Sequence, residues 1–238
     1  MNKTKIPWCD YTINPVKGLC PMACEYCYAR RMYKRFKWNE AIRWHPPAWD
    51  LVDTLNKPSR IFVGSTFELF LDTLPENWME YNLLTAKKYP QHTFIFLTKQ
   101  PQNLIKWSPF PDNCFIGVTA TDNDMAFMAV GFLRLIEAKV KFISFEPLLK
   151  PIIRWVGDAE YLFNHINWVI IGARTPFSVK TFPKWKWVAG IINACDKANI
   201  PVFLKNNLGL PRLSEIGATP YYKKHQSGTM ELRQEFPE

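Results

Sequence analysis

Three cysteines fall within residues 20 to 27, which read Cys20-Pro-Met-Ala-Cys24-Glu-Tyr-Cys27 with the spacing C-x3-C-x2-C. Cys24 and Cys27 stand at i and i+3, on one face if a helix begins there. Cys20 can fold over from a preceding loop shaped by Pro15, Gly18 and Pro21. Three thiolates can thus converge on one centre. A closed structural zinc site takes four protein ligands, and so does a cubane iron–sulfur cluster held wholly by protein. Zinc with Cys9 or His45 as fourth ligand is one reading, and three unrelated buried thiols is the bland one. Cys114 opens an apolar run and Cys195 lies in a helical pattern, so both are expected as core thiols. Cys9 is expected to be packed, with a fourth ligand or a hydrogen-atom donor as its other roles.

Three thiolates on a [4Fe–4S] cubane leave one iron open. The amino and carboxylate groups of S-adenosylmethionine can chelate that iron. An electron passed into the sulfonium then breaks its C–S bond and releases a 5′-deoxyadenosyl radical. The cofactor carries such chemistry, and the protein positions and shields it.

Residues 30 to 43 carry Arg30, Arg31, Lys34, Arg35, Lys37 and Arg43 against the single acid Glu40, with Tyr33, Phe36 and Trp38 interleaved and Trp44 following. Basic contacts to phosphates, with bases stacked on aromatic rings, are how single-stranded or flipped nucleic acid is held. The plainer reading is a solvated helix whose Tyr33 and Phe36 pack inward. His45-Pro-Pro-Ala-Trp49 reads as a rigid loop.

Elements that could position these groups recur along the chain. Short, nearly continuous apolar runs at 60–64, 93–98, 114–119, 140–145, 168–172 and 202–205 read as strands buried on both faces, and a shorter one is expected at 11–13. Helical patterns cover 78–89, 125–138 and 184–199, punctuated by Pro75, Pro183 and Pro201. Strand–helix–strand alternation predicts an α/β fold with parallel strands. Periodicity alone leaves a barrel and a doubly wound sheet both open. Polar residues close nearly every strand: Ser65 and Thr66, Thr98 and Lys99, Thr119 and Thr121, Glu146, Arg174, and Lys205 with Asn206. Ligands bind at the C-terminal ends of parallel strands in barrels and open sheets alike.

The cysteine spacing, with the aromatic Tyr26 before its last cysteine, resembles the signature of the radical S-adenosylmethionine superfamily. The likeness continues through Asn14-Pro-Val-Lys-Gly18, Cys27-Tyr-Ala29, Phe62-Val-Gly-Ser65, Leu97-Thr-Lys99, Gly117-Val-Thr119, Ser144-Phe-Glu-Pro-Leu148, Trp168-Val-Ile-Ile-Gly172 and Phe203-Leu-Lys205. In this order the runs are similar to a phage and prophage family within that superfamily. The resemblance implies a partial (β/α)6 TIM-like barrel with the cluster loop at its C-terminal mouth. It implies Cys20, Cys24 and Cys27 as cluster ligands. Tyr26, Gly64, Ser65, Thr66, Thr98, Thr119 and Lys205 are the expected cofactor-binding residues, with Gly64 and Ser65 meeting the cofactor's amino group. Lys99, Glu146 and Arg174 are the candidate catalytic residues, and Arg30, Arg31, Lys34 and Arg35 the nucleic-acid candidates. A Lys99–Glu146 ion pair is the purely structural alternative for those two. Three stretches depart from the family pattern: Ala120, Thr121 and Asp122 where a glutamate is usual; Ala173 to Pro176 where glycine, glutamate, serine and glycine are; and Asn206 and Asn207 where glutamine and tryptophan are. The departures suggest retained radical chemistry on a different substrate, and Arg174 favours an anionic group there.

Composition is compatible with this. The chain has 238 residues, 47% hydrophobic and 21% charged, which excludes a mainly disordered chain. Its net charge of +9 favours an anionic partner without choosing among nucleic acid, phosphorylated ligand and acidic membrane. No apolar run approaches the ~18 residues that span a bilayer, and the first residues do not read as a signal peptide, so a cytoplasmic protein with reduced thiols is expected. One domain is expected, with 1–59 holding the cluster loop and basic segment, 60–210 the remaining barrel and 211–238 an extension. Three functions stand: radical chemistry on a nucleobase or modified thymine in phage DNA modification or repair, including isomerisation; the same chemistry on a free small molecule or peptide; and a zinc-containing nucleic-acid-binding module. The first two need an electron donor such as flavodoxin or ferredoxin.

Overall fold

A computed structural model describes residues 4–152, 158–176, 181–210, 220–224 and 229–237. In chain order the elements are β1 (Tyr11–Ile13), β2 (Val16–Lys17), α1 (Tyr28–Phe36), β3 (Arg43–Trp44), α2 (Asp50–Asp53), β4 (Arg60–Val63), α3 (Glu76–Lys87), β5 (Thr93–Thr98), β6 (Cys114–Thr119), α4 (Asn123–Leu133), β7 (Val140–Phe145), α5 (Asp158–Phe163), β8 (Trp168–Ile171), α6 (Trp185–Lys197), β9 (Val202–Leu204), β10 (Tyr222–Lys224) and β11 (Met230–Leu232). The chain forms two compact units, Met1–Val118 with Leu135–Lys139, and Thr119–Arg134 with Val140–Glu238.

In the first unit, β1, β4, β5 and β6 lie side by side as a parallel sheet, with Tyr11 opposite Ile61, Ile61 opposite Phe94, and Phe94 opposite Cys114. β4, β5 and β6 are buried on both faces, with Ile61, Phe94, Ile95, Phe96 and Ile116 at 0% exposure. That explains why they read as unbroken apolar runs rather than alternating ones. Trp49 packs on Phe94 at 5.3 Å and donates its indole N–H to Asn82 of α3 at 2.9 Å. A two-residue antiparallel pair, β2 with β3, brackets the cysteine loop and α1.

In the second unit, β7, β8 and β9 are parallel, with Phe142 opposite Trp168 and Val169 opposite Val202. α4, α5 and α6 accompany them. Ala126, Ala129, Val130 and Leu133 form the buried face of α4. Residues 229–237 return as an arm on β9. Leu204 N–H donates to Arg233 O at 2.8 Å, Glu235 N–H donates to Val202 O at 3.1 Å, and Gln234 bridges Phe203 antiparallel. Phe236 covers Trp168 and Phe203, with ring centroids 5.6 and 5.2 Å apart.

Two expectations about helices are corrected. α1 begins at Tyr28, after the cysteines, so Cys24 and Cys27 do not share a helix face. Cys27 has extended backbone and serves as the N-cap, and Cys24 lies one tight turn before it, its carbonyl accepting from Cys27 N–H at 3.0 Å. α4 begins at Asn123 rather than Met125, because Asp122 caps it by accepting from Met125 N–H at 3.1 Å. It also ends at Leu133, short of Ala138. Among the described residues no helix is long and apolar enough to cross a membrane.

Candidate active site

The cysteine loop is held from three sides. Gly18 has φ +124°, a conformation side chains rarely adopt, and a Cβ there would lie 2.7 Å from the Ala41 carbonyl. Its N–H donates to the buried Tyr33 hydroxyl at 2.8 Å, and Leu19 N–H donates to Glu40 O at 2.9 Å. Beyond it, Ala23 turns through the left-handed region at φ 48°. Arg30 reaches back from the first turn of α1, its guanidinium donating to the Cys20 carbonyl at 2.7 Å. The chain therefore doubles back between Cys20 and Cys27.

All three cysteines line one recess, together with Leu19, Met22, Arg30 and Thr66. Cys27 Sγ accepts from Arg30 N–H at 3.4 Å. Burial pushes the Cys20 thiol up; the backbone N–H groups of Glu68 and Met22 pull it back, and the charges of Glu68 and Cys27 add to the rise. Those two charges also show that Glu68 and Cys27 are near Cys20.

This donor set fits an iron–sulfur cluster. The ligands are all sulfur, and N–H groups hydrogen-bond to the sulfurs as they do where a protein tunes such a centre. Among the described residues no group of three His, Cys, Asp or Glu side chains is gathered as tightly as one metal ion requires. Cys9 is buried in the core, its thiol 3.9 Å from the Ile6 carbonyl. Cys114 and Cys195 are core thiols as expected, both pushed up by burial, Cys114 to about 12.

The strand ends of the first unit close on this loop. Gly64, after β4, has φ +83° and donates its N–H to Ile13 O at 2.8 Å. Asn14, after β1, gathers the next two residues, its Oδ1 accepting from Ser65 Oγ at 3.2 Å and from both Thr66 N–H and Oγ1 at 3.0 Å. The Tyr28 hydroxyl donates to Ser65 O at 2.7 Å, joining α1 to that turn. Lys99 is half-buried with its ammonium 6.0 Å from the centre of the Tyr26 ring. Gly64, Ser65, Thr66, Thr98, Lys99 and Tyr26 are thus brought together with the cysteines in one unit.

The sequence reading missed Glu68. It is 7% exposed and accepts from Thr98 Oγ1 at 2.7 Å, Lys99 N–H at 2.8 Å and Phe70 N–H at 3.1 Å. Its carboxylate ties the loop after β4 to the end of β5, directly beside Cys20. An acid four residues past a predicted strand end was the available signal.

The second unit carries its own polar strand ends. Glu146, after β7, forms its ion pair with Lys205, after β9, and the two side chains are only 24% and 14% exposed. Gly172, after β8, lets them meet, since a Cβ there would lie 3.0 Å from Lys205 Cδ and 3.1 Å from Glu146 Cγ. Thr119 is buried and Arg174 half-exposed. Two of the three departures from the family pattern fit each other: Asn207 Oδ1 accepts from Ala173 N–H at 3.2 Å, and its Nδ2 donates to Ala173 O at 3.1 Å. In the third, Asp122 caps α4 and lies 3.5 Å from Lys150.

Of the nucleic-acid candidates, Arg31, Lys34 and Arg35 are exposed on α1, whereas Arg30 turns to the cysteine loop. The inward-packed alternative holds for Tyr33, which is 6% exposed, and not for Phe36, which is 52% exposed.

Solved structures share this architecture. Spore photoproduct lyase complexed with dinucleoside spore photoproduct matches with a TM-score of 0.55 at 11% identity, over 85% of this chain and 78% of that one. A doubly substituted variant of the lyase with bound AdoMet and dinucleoside spore photoproduct matches with a TM-score of 0.50 at 12% identity, over 98% of this chain and 70% of that one. At such identities the likeness shows the fold, a mixed α/β partial TIM-like barrel, as the resemblance implied. No curated protein matches the sequence. The model of one family, described as protein of unknown function (DUF5131), matches residues 3–224, and the chain belongs to that family.

Proposed function

We propose that the chain is a radical S-adenosylmethionine enzyme acting on a nucleobase, in modification (including isomerisation) or repair of DNA, in a phage or prophage setting. The observation that carries the reading is the single recess lined by Cys20, Cys24 and Cys27 in the unit that also holds Gly64 to Thr66, Glu68 and Lys99. The fold supports it, because solved structures of that fold hold AdoMet and a dinucleoside photoproduct. When bound, a [4Fe–4S] cluster and S-adenosylmethionine would supply a carbon-centred radical able to take hydrogen from an unactivated C–H bond.

The chain's own residues would do the rest. Cys20, Cys24 and Cys27 would hold the cluster, with N–H groups of Met22, Glu68 and Arg30 satisfying the sulfurs. The turn at Gly64, Ser65 and Thr66, fixed by Asn14, would present backbone carbonyls to an ammonium. Lys99, beside Tyr26, would hold a carboxylate or phosphate. In the second unit, Thr119, Glu146, Lys205 and Arg174 would bind polar or anionic groups, and the Glu146–Lys205 pair supplies an acceptor and a donor held in register. A flavodoxin- or ferredoxin-type protein would deliver the electron.

The test is anaerobic. Reconstituted, reduced protein given S-adenosylmethionine is expected to form 5′-deoxyadenosine, and Cys24→Ala is expected to abolish it and lower bound iron. Zinc in the wild-type protein, with no deoxyadenosine, overturns the reading. Full cleavage by Cys24→Ala overturns the ligand assignment.

A further inference from the structure

The outer face of α1 combines charge with exposed rings. Arg31, Lys34 and Arg35 project to solvent, and Lys37 ends the helix in the left-handed region at φ 49°. That turn sends the chain back on itself, with Trp38 N–H donating to Tyr33 O at 3.3 Å. Trp38 therefore lands beside the helix rather than beyond it. Its ring stacks on Phe36 at 5.5 Å and 22°, and meets Tyr33 edge-on at 5.3 Å. Phe36 remains 52% and Trp38 42% exposed, and the Arg35 guanidinium lies 5.3 Å from the Phe36 ring centre. An isolated exposed aromatic needs no explanation, but two stacked ones with a guanidinium beside them, on a helix of exposed cations, form a patch with a chemistry of its own.

That chemistry narrows the partner. Four cations with no acid between Arg30 and Asn39 call for a polyanion. A lipid surface would need the apolar side of the helix to insert, but that side is committed inward: Ala29 and Tyr33 are buried, and the Tyr33 hydroxyl is bonded to Gly18. A duplex would meet the cations and leave the rings without a partner, since its bases are already stacked. An unpaired strand satisfies both, with phosphates on the cations and a base on the ring.

We infer that this face of α1 and the turn after it form a binding platform for a single nucleic-acid strand, with Arg31, Lys34, Arg35 and Lys37 on phosphates and Trp38 stacked against an unpaired base. The inference deepens the reading of the substrate as a nucleobase and rests on it. Because Cys27 caps the N-terminus of α1, the platform lies on the helix that begins directly beyond the last cysteine.

Fluorescence anisotropy of a labelled twelve-residue oligothymidylate against the full chain tests it, read from 50 to 200 mM salt. The wild type is expected to bind with a log–log salt slope that flattens by about 0.7 for each phosphate contact removed, so that R31Q/K34Q/R35Q/K37Q loses most of it. Trp38→Ala is expected to weaken binding about 5- to 150-fold, with Trp38→Phe retaining most affinity. Each variant's thermal midpoint establishes that it is folded. An unchanged slope in the fourfold variant, unchanged affinity in Trp38→Ala, tighter binding to the same sequence as duplex, or binding only to anionic vesicles overturns the platform. Deoxyadenosine formation without nucleic acid is measured on the same wild-type preparation. Its presence without strand binding removes the platform alone, whereas strand binding without it removes the radical reading and keeps the platform.

Discussion

Glu68 shows how a charged residue can tie together the loops around a candidate site. Three donors converge on its carboxylate, and it stands next to a cysteine that would carry negative charge. Glu68→Ala would strand a threonine hydroxyl and two backbone N–H groups in the interior, a loss of roughly 2–4 kcal/mol. Urea unfolding of the metal-free protein reads that loss directly, and Glu68→Gln, which keeps one accepting oxygen, is expected to lose less. A midpoint unmoved by Glu68→Ala would mean the bonds contribute nothing net. The gathering of the three cysteines at one recess was legible, because it follows from local spacing. Glu68 and Asn14 were not, because their roles are set by partners about 30 and 50 residues away that only the fold brings near. Glu146 was legible as a rim residue, but its pairing with Lys205 rather than Lys99 was not, since strand ends do not show which of several cations a carboxylate will meet.

Strands of this chain announce themselves more clearly than its helix ends. β5, β6 and β7 coincide with the apolar runs because burial on both faces leaves few polar residues inside a run to blur its limits, Lys141 and Ser144 of β7 being the exceptions. Helix starts depend on a single capping side chain. At Cys27 the cap is a thiol, outside the usual set of Ser, Thr, Asp and Asn, so the start of α1 carried no ordinary signal. Asp122 is in that set and caps α4, but it lies ahead of the apolar periodicity that opens at Met125. Asp122→Ala is expected to cost about 1 kcal/mol of stability by removing the α4 cap, while Asp122→Asn retains nearly all of it. Thermal midpoints of the two variants decide between capping and a role that needs the charge: equal losses would argue for the charge. The pairs β2–β3 and β10–β11 went unread because their two or three residues mix charged with apolar side chains and form no apolar run.

Across the whole molecule, the net charge of +9 and the chemistry of one half-buried acid, Glu235, bear on how it meets changes of solution. Burial alone would raise Glu235, but bonds from Lys223, Val202 N–H and Arg233 outweigh it and hold the carboxyl below its ordinary value. A carboxylate lowered in the folded state contributes stability that is complete above its unfolded pKa of ~4.3 and is lost as pH falls through the folded value. Thermal midpoints taken from pH 5 down to pH 3 should therefore fall more steeply for the wild type than for Glu235→Gln, and parallel curves would refute the linkage. Nothing in residues 211–238 read as structure, since the arm finds its partners about 30 residues away. Its position has a consequence for how separate copies of the chain behave. The arm occupies backbone groups of β9 that would otherwise offer a ready template to any passing strand. A fusion that drags the arm away, or a cut just before Thr229, would leave that template open. Such protein is expected to assemble into larger species as it is concentrated, while the intact chain keeps one elution volume. If so, the arm serves this chain as an intramolecular cap on β9.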